Sequence, residues 1–93
     1  MTRELSEGVC AATGRILAFL QARPASTEEL AEKSSKPTVH RALRAMRAAG
    51  AELTFNRMTG TWALVKPWSR PPSLLTRAEL VAIAERRSED GRR

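Results

Sequence analysis

Two helix starts lie nine residues apart, which leaves room between them for one short helix and one tight turn. Ser26 and Glu29 form an S-x-x-E capping box, in which the serine takes an orphan N–H of the first turn and the glutamate reaches back to the cap. Thr27 is the neighbouring alternative cap. Glu28 and Glu29 fall in the first turn, where the helix dipole favours a carboxylate. Ser35 is the second cap, and Pro37 is tolerated just after it because its missing N–H costs no intrahelical bond there. Pro24 ends whatever helix precedes Ser26. The chain must therefore run helix, short helix, turn, helix.

The flanking patterns extend this order. Over residues 5–22, Val9, Thr13, Ile16, Leu17 and Leu20 recur at helical spacing, with Phe19 on a flank and Gly14 as a weak point. Leu30 and Ala31 are the apolar contacts of the short helix. The helix after Ser35 carries one apolar stripe, Val39, Ala42, Leu43 and Met46, and stops at Gly50. Its opposite arc carries Thr38, Arg41, Arg44 and Ala45, with His40 and Arg47 beside them.

After Gly50 the period shortens to two. Leu53 and Phe55 alternate with polar neighbours, as do Trp62 and Leu64, and the loop Asn56–Gly60 between them predicts a hairpin with Gly60 at positive φ. The face bearing Leu53, Phe55, Trp62 and Leu64 is expected to cover the helices. Trp68 falls outside the alternation and packs either over the hairpin or in an interface. Lys66–Ser73 contains three prolines and reads as an extended, stiff linker. Thr76 and Glu79 then make a second capping box, with Leu80, Ile83 and Ala84 as an apolar stripe and fraying expected from Ser88. A helix this short needs a packing partner. It either folds back on the domain or pairs with a second copy, giving a homodimer through residues 74–87.

Size and chemistry exclude several classes. A chain of 93 residues makes one small core and cannot form a barrel or a doubly wound sheet. No apolar run approaches the ~18–20 residues that cross a bilayer, and no secretory leader pattern opens the chain, so no membrane and a cytoplasmic location are expected. Cys10 is the sole cysteine and reads as a buried thiol. Cys10 and His40 stand alone, no Asp precedes Asp90, and neither a phosphate loop nor metal-ligand spacing is present. An enzyme, a cofactor and a metal are all unexpected.

Charge points elsewhere. The sequence carries 16 Lys and Arg against 10 Asp and Glu, a net +6. Most of the surplus lies in residues 14–68, and Lys36, Arg41, Arg44 and Arg47 follow one another with no acid between. These observations together predict an α+β, mainly α, winged helix-turn-helix with a short β-hairpin wing and an extra C-terminal helix. Residues 1–68 form the DNA-binding domain, and residues 69–93 form a proline-rich linker and helix. A slim helix fits the major groove of double-stranded DNA. Thr38 and Arg41 are the candidate base readers. Lys36, Arg44 and Arg47 are candidate phosphate contacts on the same helix, as is His40 unless it is a plain boundary position. Pro37 is a further candidate DNA-binding residue there, and Arg57 is the wing contact to the backbone or minor groove.

The stretch Ser26-Thr27-Glu28-Glu29-Leu30-Ala31-Glu32-Lys33, followed by Ser35-Lys36-Pro37-Thr38-Val39-His40-Arg41, resembles the helix-turn-helix of bacterial winged-helix transcriptional regulators. Leu43-Arg44-Ala45-Met46-Arg47-Ala48-Ala49-Gly50 is similar to the end of their recognition helix. The run from Leu53 through Gly60 to Leu64 is similar to their wing, especially in the group that includes the DNA-binding domain of biotin-dependent repressors. The resemblance implies that residues 36–48 enter operator DNA and that the protein acts as a dimer. It departs at the turn: the family commonly has a Gly and an aliphatic residue before the serine cap, for which Lys33-Ser34-Ser35 leaves no room. Either the turn is tighter or the second helix ends sooner.

Three further expectations follow. A chain this small has no room for an effector domain, so no small-molecule effector is expected. Phe55 and Trp62 point inward by alternation, which argues against an exposed aromatic platform for RNA. The competing function is a winged helix used for protein assembly, because a fold does not fix its function.

Overall fold

The computed structural model describes residues 6–32 and 34–90, with side chains described as far as Arg87. It is an α+β arrangement, mainly helical, with a three-stranded antiparallel sheet. In chain order the elements are α1 (Glu7–Ala22), β1 (Ala25–Ser26), α2 (Thr27–Leu30), α3 (Lys36–Ala48), β2 (Leu53–Asn56), β3 (Thr61–Leu64) and α4 (Arg77–Asp90). A 3₁₀ turn, Pro72–Leu74, precedes α4. Position 5, expected to open the first helix, lies outside the described residues.

The caps fall where their side chains direct them. Ser6 accepts from the Val9 N–H to start α1. Ser26 and Glu29 exchange both bonds of the capping box, so Ser26 rather than Thr27 is the cap of α2. Ser35 accepts from the Thr38 N–H and starts α3. α2 ends at Leu30, and the Ser34 N–H donates back to the Ala31 carbonyl at 3.1 Å. Of the two ways to fit the shortened turn, the chain therefore ends the second helix sooner. At the other end of α3, Gly50 sits at φ 100°. Its N–H meets the Arg47 carbonyl while the Ala51 N–H meets that of Met46, the paired bonds of a Schellman cap. Gly60 closes the hairpin loop at φ 68°.

α1 and α3 enclose the core. Ile16, Leu20, Val39, Ala42, Leu43 and Met46 pack there, with Leu30 from α2, Leu53 from β2 and Leu74 from the segment before α4. Every member of the apolar stripe read on α3 is buried. Cys10 is buried as well, and burial, with Glu7 nearby, raises its thiol pKa.

The sheet has one strand more than expected, in the order β1-β3-β2. Ala25 pairs with Trp62 and Ser26 with Thr61, so the residues leading into the α2 cap form a short edge strand. A two-residue strand is too short to show alternation. In the hairpin, Leu53 pairs with Leu64 and Phe55 with Trp62, which places all four on one face. Leu53 is buried and Trp62 and Leu64 are half-buried, but Phe55 remains 43% exposed. The expected burial of Phe55 is thus incorrect. Leu53 lies at the hairpin base, where the helices cover it; two residues on, Phe55 approaches the loop and overhangs that cover.

The linker is not wholly extended, since Pro72–Leu74 winds into the 3₁₀ turn that delivers Leu74 to the core. Trp68 packs over the end of α3, where its Nε1 donates to the Ala49 carbonyl at 3.4 Å. Arg70 lies along α1 and donates to the carbonyls of Cys10 (3.3 Å) and Leu74 (3.1 Å) and to the Glu79 carboxylate. Gly14 supplies the space: a Cβ there would stand 3.1 Å from the guanidinium carbon of Arg70. The glycine that weakens the helical pattern in sequence thus sits in an unbroken α1 and makes way for a cation.

Glu79 and Thr76 form the expected capping box of α4, and Glu7 accepts from the Arg77 N–H at 3.0 Å. Past this first turn the helix does not fold back. Every residue from Leu80 to Arg87 is exposed, including Leu80, Val81 and Ile83, in a molecule measuring 53 × 29 × 24 Å. The expected fraying from Ser88 is corrected at its start, because the helix runs on to Asp90. Residues 91–93 lie outside the described residues.

Candidate nucleic-acid interface

At about 100° per residue, the core stripe of α3 leaves three other sectors. Arg41 and Arg44, with Pro37 and Ala48, lie opposite the stripe. Thr38 and Ala45 take one flank. Lys36, His40 and Arg47 take the other, and this is the flank beside the hairpin. The basic residues are therefore gathered along the hairpin side and the outer pole of α3.

Their surroundings sort them further. Lys36 lies 3.5 Å from Glu28, an acid that is distant in the helical pattern but adjacent across the turn. Glu28 has its pKa lowered by its own backbone N–H and then by Lys36. Arg23, Lys66 and Arg70 likewise pair with Glu29, Glu52 and Glu79. Among the described residues, Arg41, Arg44, Arg47 and Arg57 have no carboxylate within ion-pair distance. All four are exposed.

Arg47 differs from the other three. Its guanidinium donates to the Leu53 carbonyl at 3.3 Å and lies over the Trp62 ring, 5.6 Å from the centroid. It braces α3 against the hairpin, a role that spacing along one helix does not reveal. Thr38 is also engaged: its hydroxyl lies 2.8 Å from that of Ser35 at the helix cap. Arg41, Arg44, Pro37 and His40 remain on the exposed surface of α3, and Arg57 remains in the exposed hairpin loop. Asn56 shapes that loop, its side-chain oxygen accepting from the Met58 N–H at 2.8 Å.

α3 and the hairpin flank an open cleft of about 480 Å³. Its lining brings His40, Arg47 and Arg57 together with Thr27, Phe55 and Trp62. Trp62 forms the inner wall, donating from Nε1 to the Thr27 hydroxyl at 3.3 Å, and Phe55 meets it with ring centroids 5.0 Å apart. Sequence patterning missed this use of Phe55. The available signal was its place beside the hairpin loop, where a strand outruns its cover.

No group of three or more His, Cys, Asp or Glu side chains able to hold a metal gathers among the described residues. No described helix is long and apolar enough to cross a membrane. No protein-family model matches the chain, and neither a curated protein nor a solved structure matches it.

Proposed function

We propose that this chain is a small winged-helix transcriptional regulator that binds double-stranded DNA in a sequence-specific manner, with α3 in the major groove. One observation carries the proposal: Arg41 and Arg44 stand exposed on α3, away from its core stripe and, among the described residues, without a carboxylate within ion-pair distance, whereas Lys36 of the same helix and Arg23, Lys66 and Arg70 elsewhere are paired with acids. Unpaired arginines on a slim helix suit a polyanion of regular shape. Arg41, on the outer pole in the N-terminal half of α3, is the base reader, because its fork matches the two acceptors of guanine. Arg44 contacts phosphate and sets register. Thr38 acts mainly through the helix cap, and Lys36 and His40 flank the groove. Arg57 reaches the backbone from the hairpin loop.

The regulator works in the cytoplasm without a cofactor or small-molecule effector, and dimerises through residues 74–87. The exposed Leu80, Val81 and Ile83 support that dimer, since a helix with this composition gains stability by pairing. The same face favours the second reading, an assembly module without DNA readout. Selection from random duplexes followed by binding across a salt series separates the two. Arg41→Ala is expected to relax sequence preference. Arg44→Ala is expected to weaken all sequences and reduce the salt slope by about one. Absence of duplex binding at low salt would leave the assembly module. An unchanged monomer mass with and without residues 74–93 would remove the dimer.

A further inference from the structure

The geometry points to the cleft between α3 and the hairpin as a site for an unpaired nucleotide, its base stacked on Phe55 and its phosphate held by Arg57 and His40. This deepens the proposed duplex binding and rests on it. Phe55 is a large aromatic ring left 43% exposed at the mouth of a cleft, not in the core where its alternation would place it. The Trp62 ring behind it is already engaged by Arg47 and Thr27, so Phe55 offers the free face. The rim is cationic: Arg57 and Arg47 line the cleft, with His40 beside them, and no acid does. Aromatic faces with flanking cations suit single-stranded nucleic acid, where bases stack on the ring and phosphates meet the charge. A duplex cannot use the ring in this way, because its base faces are covered by their neighbours. Only a base outside the stack can do so, at an end, a junction or an extruded position.

The cleft is open to solvent and large enough to admit one such unit. A cleft of about 480 Å³ lies within the ~300–1,000 Å³ range of small-ligand pockets. Its place supplies continuity, since Arg44 on the outer pole of α3 is followed around the helix by His40 and Arg47, which line the cleft. A strand leaving a duplex held by Arg41 and Arg44 would pass over this opening.

The test uses the full chain and three DNA probes: a blunt duplex, the same duplex with a short single-stranded thymidine tail, and the oligothymidine strand alone. Affinity is followed by anisotropy, and the cleft by quenching of tryptophan fluorescence. The tailed duplex should bind about tenfold more tightly than the blunt one, the usual scale of one base stacked on an aromatic ring. Phe55→Leu, which retains an apolar contact with Trp62, should abolish that gain and spare blunt-duplex affinity, while Phe55→Trp keeps it. Arg57→Ala, in the exposed loop, should weaken the blunt duplex through the lost backbone contact and the tailed duplex further still, so that the ratio between the two falls. Equal affinity of the wild-type chain for blunt and tailed duplexes would overturn the cleft assignment and leave duplex binding by α3 intact. A gain that survives Phe55→Leu and Arg57→Ala together would also overturn it. Binding of the oligothymidine strand alone, lost in Phe55→Leu and without duplex binding, would support the cleft and reject α3 as a duplex reader.

Discussion

Replacing Arg70 with methionine tests whether a buried cation ties the C-terminal segment to the helical core. Its side chain is 13% exposed and reaches the carbonyls of Cys10 and Leu74 and both oxygens of Glu79. Methionine keeps the apolar stem and removes the charge. The Cys10 carbonyl lies within α1 and keeps its intrahelical bond, and the Thr13 hydroxyl, 2.7 Å from it and 3.2 Å from the Leu74 carbonyl, can turn its one proton to Leu74, so neither is orphaned. What is lost is the pairing with Glu79. The Arg70 guanidinium, with the Thr76 N–H second, holds the Glu79 carboxyl down to about 2 from its ordinary 4.5. Taken whole, that change corresponds to roughly 3 kcal/mol, at about 1.4 kcal/mol per tenfold change in acidity. Glu79 is 37% exposed, so water screens much of it, and the Thr76 contribution survives the substitution. About 1 kcal/mol is therefore expected from Arg70.

The sign with pH follows from the same shift. Glu79 is more acidic folded than unfolded, so its stabilisation is full above about pH 4.5 and is lost as pH falls toward 2. Thermal melts of Arg70→Met should lie about 4–8 °C below wild type at neutral pH, and the gap should close on acidification toward pH 2. Circular dichroism of both proteins across that range is the assay. A gap of under about 1 °C at neutral pH, or one that stays constant down to pH 2, would show that the ion pair does not hold this segment.

Gly14→Ala should stabilise the Arg70→Met protein by up to about 1 kcal/mol, the ordinary gain of alanine within a helix. In the wild-type chain the gain should be smaller, because the new Cβ would stand 3.1 Å from the Arg70 guanidinium; paired urea titrations measure the difference. Met46→Ala should cost about 2–5 kcal/mol, since Met46 is fully buried between α3 and its neighbours. A urea midpoint unchanged by this substitution would contradict the assigned core. Gly50→Ala should lower stability by about 1 kcal/mol or more, because φ 100° is unfavourable for any residue with a Cβ. A melt equal to wild type would show that the turn after α3 relaxes freely.

The starts of α2, α3 and α4 were legible because each is written in local chemistry. Ser26 with Glu29, Ser35 before Pro37, and Thr76 with Glu79 act within four residues, and each forms the bonds its side chains specify. The α3 core stripe was legible for the same reason, since a helix repeats its face regularly. β1 was not, because two residues carry no period and the strand exists only through pairing with Trp62 and Thr61. Phe55 shows a different limit. Alternation assigns a residue to a face of the sheet, but burial depends on whether another element covers that face at that point. Cover ends between Leu53 and Phe55, over two residues of one strand.

The arginines show the same limit in charge. Along the sequence, Lys36, Arg41, Arg44 and Arg47 form a uniform basic run, because local spacing counts only the acids within that run. In space they divide. Lys36 meets Glu28 across the shortened turn, and Arg47 turns to the Leu53 carbonyl and the Trp62 ring. An exposed ion pair such as Lys36–Glu28 holds little energy, so Lys36 can still exchange its partner for a phosphate. Arg47 has more to lose, since leaving its place would give up both a hydrogen bond and a cation–π contact. Its substitution would therefore disturb the hairpin and the cleft together with any DNA contact, and a binding defect in Arg47→Ala could not be assigned to charge. Arg41 and Arg44 make no such contact among the described residues. They are the positions at which a change in DNA affinity would report on the interface alone.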